Sequence, residues 1–364
     1  MAEPDGTRRE GHGDAARLLL AAARERFAVA ATDLLLPDAS RLTEWQRLTA
    51  NALLSRLVRA IEDDLRARLA SSFAAHEALA AALSSAHVEL AAPILDRAGA
   101  LHDAELSAAL VRRVEEHRFW TARRIDARED SLAALVADAD EEVAADAMAL
   151  VVARSRRFDC FQEPVLGHAE LQAELHHKLV WLIAAALRHY IVQQHKVGAV
   201  DAAIETAATA VIAAHDEGEG LEAVAVRLAQ RLHRLDRLDG ERLARALEDG
   251  LLPFFVAGLA TRAGLEAGAA WEVLSDPRAR GPALLLRAAG LERPDASRIL
   301  LALNAHGPVF AAQEGEAAAA QLELFDTLDQ ASASEVLRLW RAPAAYRAGV
   351  ARISTRARPA AQAA

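Results

Sequence analysis

The sequence predicts an all-α protein in which irregular, HEAT-like stacked helical pairs surround a long buried central helix. Alanine, leucine, arginine and glutamate dominate the 364 residues, whereas aromatic residues make up only 4%. Because β-branched and aromatic residues are the ones that favour strands, this composition favours helices. No segment alternates between apolar and polar residues as a half-buried strand does, so we predict no sheet.

The predicted central helix covers residues 170–195. Apolar residues recur there at steps of three and four, the period of one helix face, at Leu171, Leu175, Leu179 and Leu182. Other apolar residues fill most of the remaining circumference, and such a helix is buried on every side or lies in a membrane. The apolar run ends at Arg188 and His189, well short of the roughly 20 residues that span a bilayer. We therefore expect a core helix around which both halves of the protein pack.

The chain before this helix contains a polar tail and further helices. Residues 1–13 are polar and glycine-rich, and a helix is predicted from Asp14 to about Leu36. Thr43 is a good N-cap for the next helix, whose leucine-rich face continues to about Ser71.

Three later segments share a rhythm that is typical of HEAT repeats. Residues 76–99 and 131–152 each contain a Leu/Ala turn, a short polar step and then Val-x-x-x-Ala, and residues 271–291 form a weaker copy. Helix–turn–helix units of this kind bury their apolar faces only by stacking on neighbours. The spacing of the copies is uneven, so chance similarity in an alanine-rich chain is the alternative.

Short amphipathic helices continue the series beyond the central helix, with glycines at their joints. These patterns divide the chain into four parts. They are a disordered tail (1–13), an N-terminal helical region with the core helix (14–196), a C-terminal helical region (197–341) and a basic disordered tail (342–364).

Four segments together resemble a bacterial family known as domain of unknown function 2336. They are the leucine-rich helix at 42–69, APILDRAGALHDAEL (92–106), AELHHKLVWLIAAALRHYI (173–191) and the run from FFVAGLATRAGL to ALLLRAAGL (254–291). The resemblance spans roughly residues 34–303 and implies a soluble, all-helical, HEAT-like protein. It brings no catalytic residues to carry over, so it leaves the function open.

The sequence contains no motif that fixes a reaction. Glu174 and His177 have the spacing of a di-iron ligand pair, but no second pair completes such a site, and HExxH and paired-cysteine motifs are absent. We expect the histidines near residues 168–195 to be the polar ends of a core helix. Cys160 follows three arginines, which can lower a thiol pKa, but a buried or half-buried cysteine is the preferred interpretation. We predict no catalytic residue, metal or cofactor, and lean against an enzyme.

One segment favours binding to a protein. Phe119 and Trp120 lie beside Arg123 and Arg124, and aromatic residues and arginine are the types that anchor interfaces. These four residues are the candidate partner-binding site. The alternative is that Phe119 and Trp120 belong to the core while the arginines are solvated.

Charge and targeting signals narrow the possible partners. A net charge of −10 disfavours a nucleic-acid binder, although six arginines and no acidic residue from Arg338 onward could contact an acidic protein, nucleic acid or anionic lipid. The start of the chain has no signal-peptide pattern and the single cysteine allows no intrachain disulfide, so we expect a cytoplasmic protein without a transmembrane segment.

The leading functional hypothesis is a non-enzymatic scaffold that binds a protein partner through a stacked-helix surface. The alternatives are an enzyme or small-ligand receptor with a cleft between the helical halves, and a HEAT-like nucleic-acid binder. The sequence is also compatible with a homo-oligomer.

Overall fold

A computed structural model describes residues 42–86, 88–122, 131–276, 280–305 and 316–356. These residues contain 17 α-helices and no strand; an isolated β-bridge pairs Phe158 with Pro164. The predicted all-α class is therefore confirmed. The predicted tail at 1–13 and the predicted helix from Asp14 to Leu36 lie outside the described residues. No described helix has the length and apolar character needed to cross a membrane.

The chain divides into two compact units, each made of segments that are separated in sequence. The first unit takes residues 42–114 and 152–223, and the second takes residues 115–151 and 224–364 together with the start of the chain. This division differs from the predicted boundary at residue 196. The reason is that the helix after that boundary packs on the two longest helices of the first unit.

The first unit contains most of the long helices. Its helices are α1 (Glu44–Ser72), α2 (Glu77–Ser84), α3 (Ala92–Arg97), the first half of α4 (Ala104–Ala122), the end of α6 (Glu141–Ser155), α7 (Ala173–His195) and α8 (Asp201–Ala213). Helix α1 packs against α2, α3, α7 and α8, and α7 also packs against α2, α3 and α8.

Helix α1 begins as the sequence predicts. The Thr43 hydroxyl accepts a hydrogen bond from the Gln46 backbone N–H at 3.3 Å, and the Gln46 side chain accepts one from the Thr43 N–H at 2.7 Å. This reciprocal capping box satisfies two backbone donors that a helix start otherwise leaves open. Most of the predicted leucine face is buried, at Leu53, Leu57, Ile61, Leu65 and Leu69, whereas Leu48 at its start is exposed. Each such side chain contributes about 1.5–3 kcal/mol when it leaves water.

Helix α7, the predicted central helix, is not buried on every side. Leu175, Leu179, Ile183 and Leu187 face the core of the first unit, but a strip along the opposite side is exposed, at Glu174, His177, Lys178, Ala185, Arg188 and His189. Near the middle of the helix the strip contains only alanine, Ala185, between charged residues and histidines toward the two ends. The apolar middle of the sequence therefore hides the exposed side. It packs on α1, α2, α3 and α8 of the first unit.

A buried ion pair on α1 holds the connection between α2 and α3. The Arg66 guanidinium lies 3.2 Å from the Glu62 carboxylate and donates to the carbonyls of Ala82, Leu83, Ser85 and Val88. Glu62 in turn accepts hydrogen bonds from the backbone N–H groups of Leu90 and Ala91 at 2.8 and 3.0 Å. The pair therefore satisfies the backbone of a loop that has no regular partner.

The second unit consists mainly of short helices. They are α5 (Ser131–Val136), most of α6, most of α9 (Leu221–Arg234), α10 (Gly240–Glu248), α11 (Leu252–Ala263), α12 (Ala267–Leu274), α13 (Gly281–Ala288), α14 (Arg293–Ala305), α15 (Glu316–Thr327), α16 (Gln330–Val336) and α17 (Ala344–Arg356). Helices α10 to α13 each pack on the next one along the chain.

Helix α11 is buried almost completely. Nine of its residues lie in the core, including Phe254, Phe255 and Leu259. It is thus α11 rather than α7 that has the all-round burial expected of a central helix. Residues 251–261 carry no charged side chain, which is the sequence signal for this burial.

The segment after residue 341 differs from the prediction. It was expected to be disordered because it is rich in alanine, proline and arginine, but residues Ala344–Arg356 form helix α17. Arg347 anchors this helix: its guanidinium lies 2.6 Å from the Glu272 carboxylate and donates to the Ala342 carbonyl at 2.6 Å. Glu272 is distant in sequence, so composition could not reveal the contact.

Candidate functional site

The feature of the first unit that is best suited to recognition is a structured loop between α6 and the 3-10 turn His168–Glu170. We call residues 156–166 the Phe161 loop. Its tip is Cys160-Phe161-Gln162, and its base pairs Phe158 with Pro164. The Phe161 side chain is 82% exposed, the highest value among the large hydrophobic side chains that the structure describes.

Backbone hydrogen bonds make the loop a tight hairpin. The Asp159 N–H donates to the Glu163 carbonyl and the Gln162 N–H donates to the Asp159 carbonyl, both at 3.0 Å. The Val165 N–H donates to the Arg157 carbonyl at 2.9 Å. The Asp159 carboxylate also accepts from the N–H groups of Phe161 and Glu163, at 2.8 and 3.0 Å. The conformation of the tip is therefore fixed from both sides.

Gln162 closes the hairpin in a left-handed backbone conformation, with φ of +62°. A three-residue hairpin loop needs a left-handed residue at this position, and glycine is the usual choice. A residue with a Cβ costs roughly 1 kcal/mol or more there. Backbone strain of this kind concentrates at functional sites, so it directs attention to the tip.

Two arginines attach the loop to helices of the first unit. Arg56 on α1 lies 3.2 Å from the Asp159 carboxylate and 3.4 Å from the Pro164 carbonyl. Arg113 on α4 donates to the Val165 carbonyl at 2.8 Å and to the Arg157 carbonyl, and its guanidinium lies 5.6 Å from the centre of the Phe158 ring. Although partial burial opposes ionisation of Asp159, the backbone N–H groups and Arg56 hold its pKa below the usual value.

Next to Phe161, the thiol of Cys160 is exposed. The preferred prediction for this cysteine, a buried or half-buried side chain, is therefore wrong. The loop turns residues 160–162 outward, and no periodic pattern in the sequence announces a hairpin tip inside an otherwise helical chain.

The most unusual polar feature of the first unit is a column of three histidine rings, which we call the histidine column. The rings of His168 and His176 stack with centres 5.4 Å apart, and those of His176 and His215 stack at 4.1 Å. His168 Nδ1 lies 3.3 Å from His176 Nε2, and His168 Nε2 lies 3.3 Å from the Asp64 carboxylate. The column thus connects α1, the 3-10 turn, α7 and the end of α8.

The environment of the column disfavours protonation. Burial, together with the neighbouring His215 and His168 rings, lowers the pKa of His176 to about 4. Burial also lowers the pKa of His168, against the attraction of Asp64. Both ring nitrogens of His215 are buried without a hydrogen-bond partner. His168 and His176 are therefore neutral at pH 7, where one of the two rings can donate a hydrogen bond to the other.

The expectation that the histidines lie at the polar ends of a core helix is wrong for His176. Its side chain is only 1% exposed and faces inward. The helical period predicts this burial, because His176 lies on the same face of α7 as Leu179, Val180 and Ile183. His168 and His215 come from other segments, and sequence reasoning had no basis for bringing them together.

Glu174 and His177, the residues with the spacing of a di-iron ligand pair, both lie on the exposed strip of α7. Glu174 and His177 are both exposed, and His177 Nε2 accepts a hydrogen bond from the Trp181 indole at 3.1 Å. No group of three or more potential metal ligands occurs in the described part of the chain.

The candidate partner-binding residues have different positions. Phe119 is 1% exposed and belongs to the core, whereas Trp120 is partly buried. Arg123 and Arg124 lie outside the described residues. Phe119 is therefore not available as an exposed anchor, whereas the aromatic side chain of Phe161 is exposed. No sequence pattern predicts the exposure of Phe161, because an isolated phenylalanine is usually buried.

Comparisons with known proteins give one match. The model of a family described as "Uncharacterised protein conserved in bacteria (DUF2336)" matches residues 90–338. Searches of curated proteins and of solved structures found no match. The match begins after α1 and α2 and ends within the 3-10 turn Leu337–Arg341.

Proposed function

Since the chain belongs to this family of uncharacterised bacterial proteins, DUF2336, we propose its function from its own residues: it is a non-enzymatic cytoplasmic scaffold that binds a protein partner. HEAT-like stacked helices form the scaffold in this proposal. The Phe161 loop provides the anchor that enters a hydrophobic pocket of the partner.

The observation that carries the proposal is an exposed aromatic side chain on a backbone that is already ordered. Aromatic side chains dominate the energetics of interfaces when they fill a pocket. Ordering a flexible loop on binding costs free energy, and a loop fixed beforehand avoids that cost. The Asp159 hydrogen bonds and the two arginine contacts supply this order to the Phe161 loop.

A photo-crosslinking experiment tests the proposal. A benzophenone amino acid replaces Phe161 in the full chain, and adducts formed in native lysate are identified by mass spectrometry. The control places the same group at Leu48 on α1, which is also exposed in the first unit. We expect a discrete adduct with another protein from residue 161 that is absent from residue 48.

Purified partner then allows a quantitative comparison. Phe161→Ser should weaken binding by about 2 kcal/mol or more, the size of an anchor truncation, whereas Phe161→Tyr should bind nearly as well. Equal adducts from both positions, or a Phe161→Ser variant that binds normally, would show that the loop is not the anchor. An adduct with twice the mass of the chain would instead identify a second copy as the occupant.

A further inference from the structure

Helix α17 exposes an apolar face that the rest of the described structure leaves open. Tyr346 is 60% exposed and Ile353 is 71% exposed. Because they lie seven residues apart, or about two helical turns, they share one face. Gly349 lies between them on that face, and a Cβ added at Gly349 would meet no atom within 4 Å.

The sequence around this helix is positively charged. Residues 342–364 contain four arginines and no acidic residue. Arg347 is turned inward, where it anchors the helix to Glu272. Arg352 and Arg356 occupy helix positions to one side of the Tyr346–Ile353 face, so cationic and apolar positions are adjacent along α17.

We propose that α17 docks on an anionic lipid surface. An interfacial helix buries a shallow apolar face at the boundary between headgroups and acyl chains, while flanking arginines contact anionic headgroups. Tyrosine suits this boundary because it has an apolar ring and a polar tip. Nucleic acid would use the arginines but would leave the side chain of Ile353 in water.

Co-sedimentation with vesicles tests this proposal on the full chain. We expect binding to vesicles of phosphatidylcholine mixed with phosphatidylglycerol, much weaker binding to phosphatidylcholine alone, and a loss of binding as salt rises. Ile353→Asp should reduce the partition coefficient at least about tenfold because it removes the apolar contact. Gly349→Leu should raise it about threefold to tenfold, because a larger apolar side chain enters the same face.

Leu48→Asp is the matched control, since Leu48 is exposed to a similar extent, at 61%, but lies on α1. This control should bind mixed vesicles as the unmodified chain does. Equal binding to neutral and anionic vesicles, no binding to either, or an Ile353→Asp variant that binds normally would overturn the proposal. Duplex DNA that binds more tightly than the mixed vesicles, with no effect of Ile353→Asp, would overturn it in favour of a nucleic-acid surface.

Discussion

The two units of the molecule secure their helices by different means. In the first unit, long helices leave extended connections between them, and buried charged or polar side chains hold those connections. Arg66 and Glu62 bind the backbone after α2, and Arg56 and Arg113 bind the Phe161 loop. The local order of this unit therefore depends on charge.

In the second unit, short helices approach one another closely at small residues. Gly281 at the start of α13 is so close to α12 that an added Cβ would lie 1.8 Å from the Val273 carbonyl oxygen. Polar side chains also cap helix ends here: Arg262 donates to the carbonyls of Ala289 and Gly290 at 2.8 and 3.1 Å. Close packing at small residues is therefore prominent in this unit, although a buried ion pair, Arg347 with Glu272, anchors α17. We therefore expect the first unit to be destabilised most by the loss of a buried charge and the second unit most by added side-chain volume.

The largest expected effect comes from breaking the buried ion pair of the first unit. Arg66→Met should destabilise the protein by about 3–5 kcal/mol, because Glu62 keeps its charge in the core and the loop carbonyls lose their donor. Denaturant unfolding measures the loss, and hydrogen exchange followed by mass spectrometry should place it in residues 42–114.

The control is Arg293→Met, which removes an exposed ion pair with Asp326 at 3.0 Å. It should change stability by no more than about 0.5 kcal/mol. If both variants lose the same free energy, the first unit does not depend on its buried charge.

The second unit should respond most to added volume. Gly281→Ala should cost about 2–3 kcal/mol, because the contact is with backbone and α13 must shift away from α12. Gly268→Ala is the control in α12, where an added Cβ meets nothing within 4 Å. It should be neutral or stabilise the helix by up to about 1 kcal/mol. Unfolding curves that rank these two variants the other way would contradict close packing at Gly281.

Acid should weaken the first unit before the second. The folded-state pKa of His176 lies near 4, below the value of 6.5 for an unperturbed histidine. The unfolded chain therefore binds more protons, and stability that is complete above pH 6.5 is lost as the pH falls toward 4. We expect a loss of about 2–3 kcal/mol across this window, measured by unfolding at several pH values.

His176→Phe should flatten this pH dependence while keeping a ring in the column. Asp103 and Asp138 contribute mainly below this window, because their pKa values are held below 3.8, but the lowered pKa of His168 adds to the loss within it, so part of the slope should remain. A slope that is unchanged in His176→Phe would show that the histidine column does not titrate as its surroundings imply.

The smallest expected effect is at the Phe161 loop. Gln162→Gly should stabilise the protein by up to about 1 kcal/mol, because glycine adopts the left-handed conformation without strain. Phe161→Ser should change stability by less than about 0.5 kcal/mol, since the side chain is exposed. A large destabilisation by Phe161→Ser in thermal melting would mean that Phe161 has a structural role rather than a binding role.

Local patterns predicted the local structure well. The Thr43 cap and the leucine face of α1 follow from neighbouring residues, so the sequence contains all of the information for them. The interpretation of α7 as buried on every side was wrong. It considered the apolar residues of the helix and overlooked that its charged residues and one alanine form a continuous exposed strip. Helix α17 was missed because its anchor, Arg347 with Glu272, joins residues that are distant in sequence.

The candidate sites depended even more on contacts between distant residues. The histidine column requires three segments to meet, and only the inward position of His176 was readable from the period of α7. The Phe161 hairpin is held by side chains of α1 and α4, which no motif connects to it. The positive charge of residues 342–364 could be predicted from the sequence, but the exposed apolar face of α17 could not.

The discontinuous make-up of the two units has a consequence for the nascent chain. Helix α1 leaves the ribosome with an uncovered leucine face; α2 and α3 follow directly, but its other partners, α7 and α8, are complete only when residues 173–213 have been synthesised. Residues 115–151, made in between, belong to the second unit and must wait for chain beyond residue 224. At about 5–20 residues per second, the part of α1 that α7 and α8 cover stays exposed for several seconds or longer. That interval makes this helix a natural client for chaperones during synthesis.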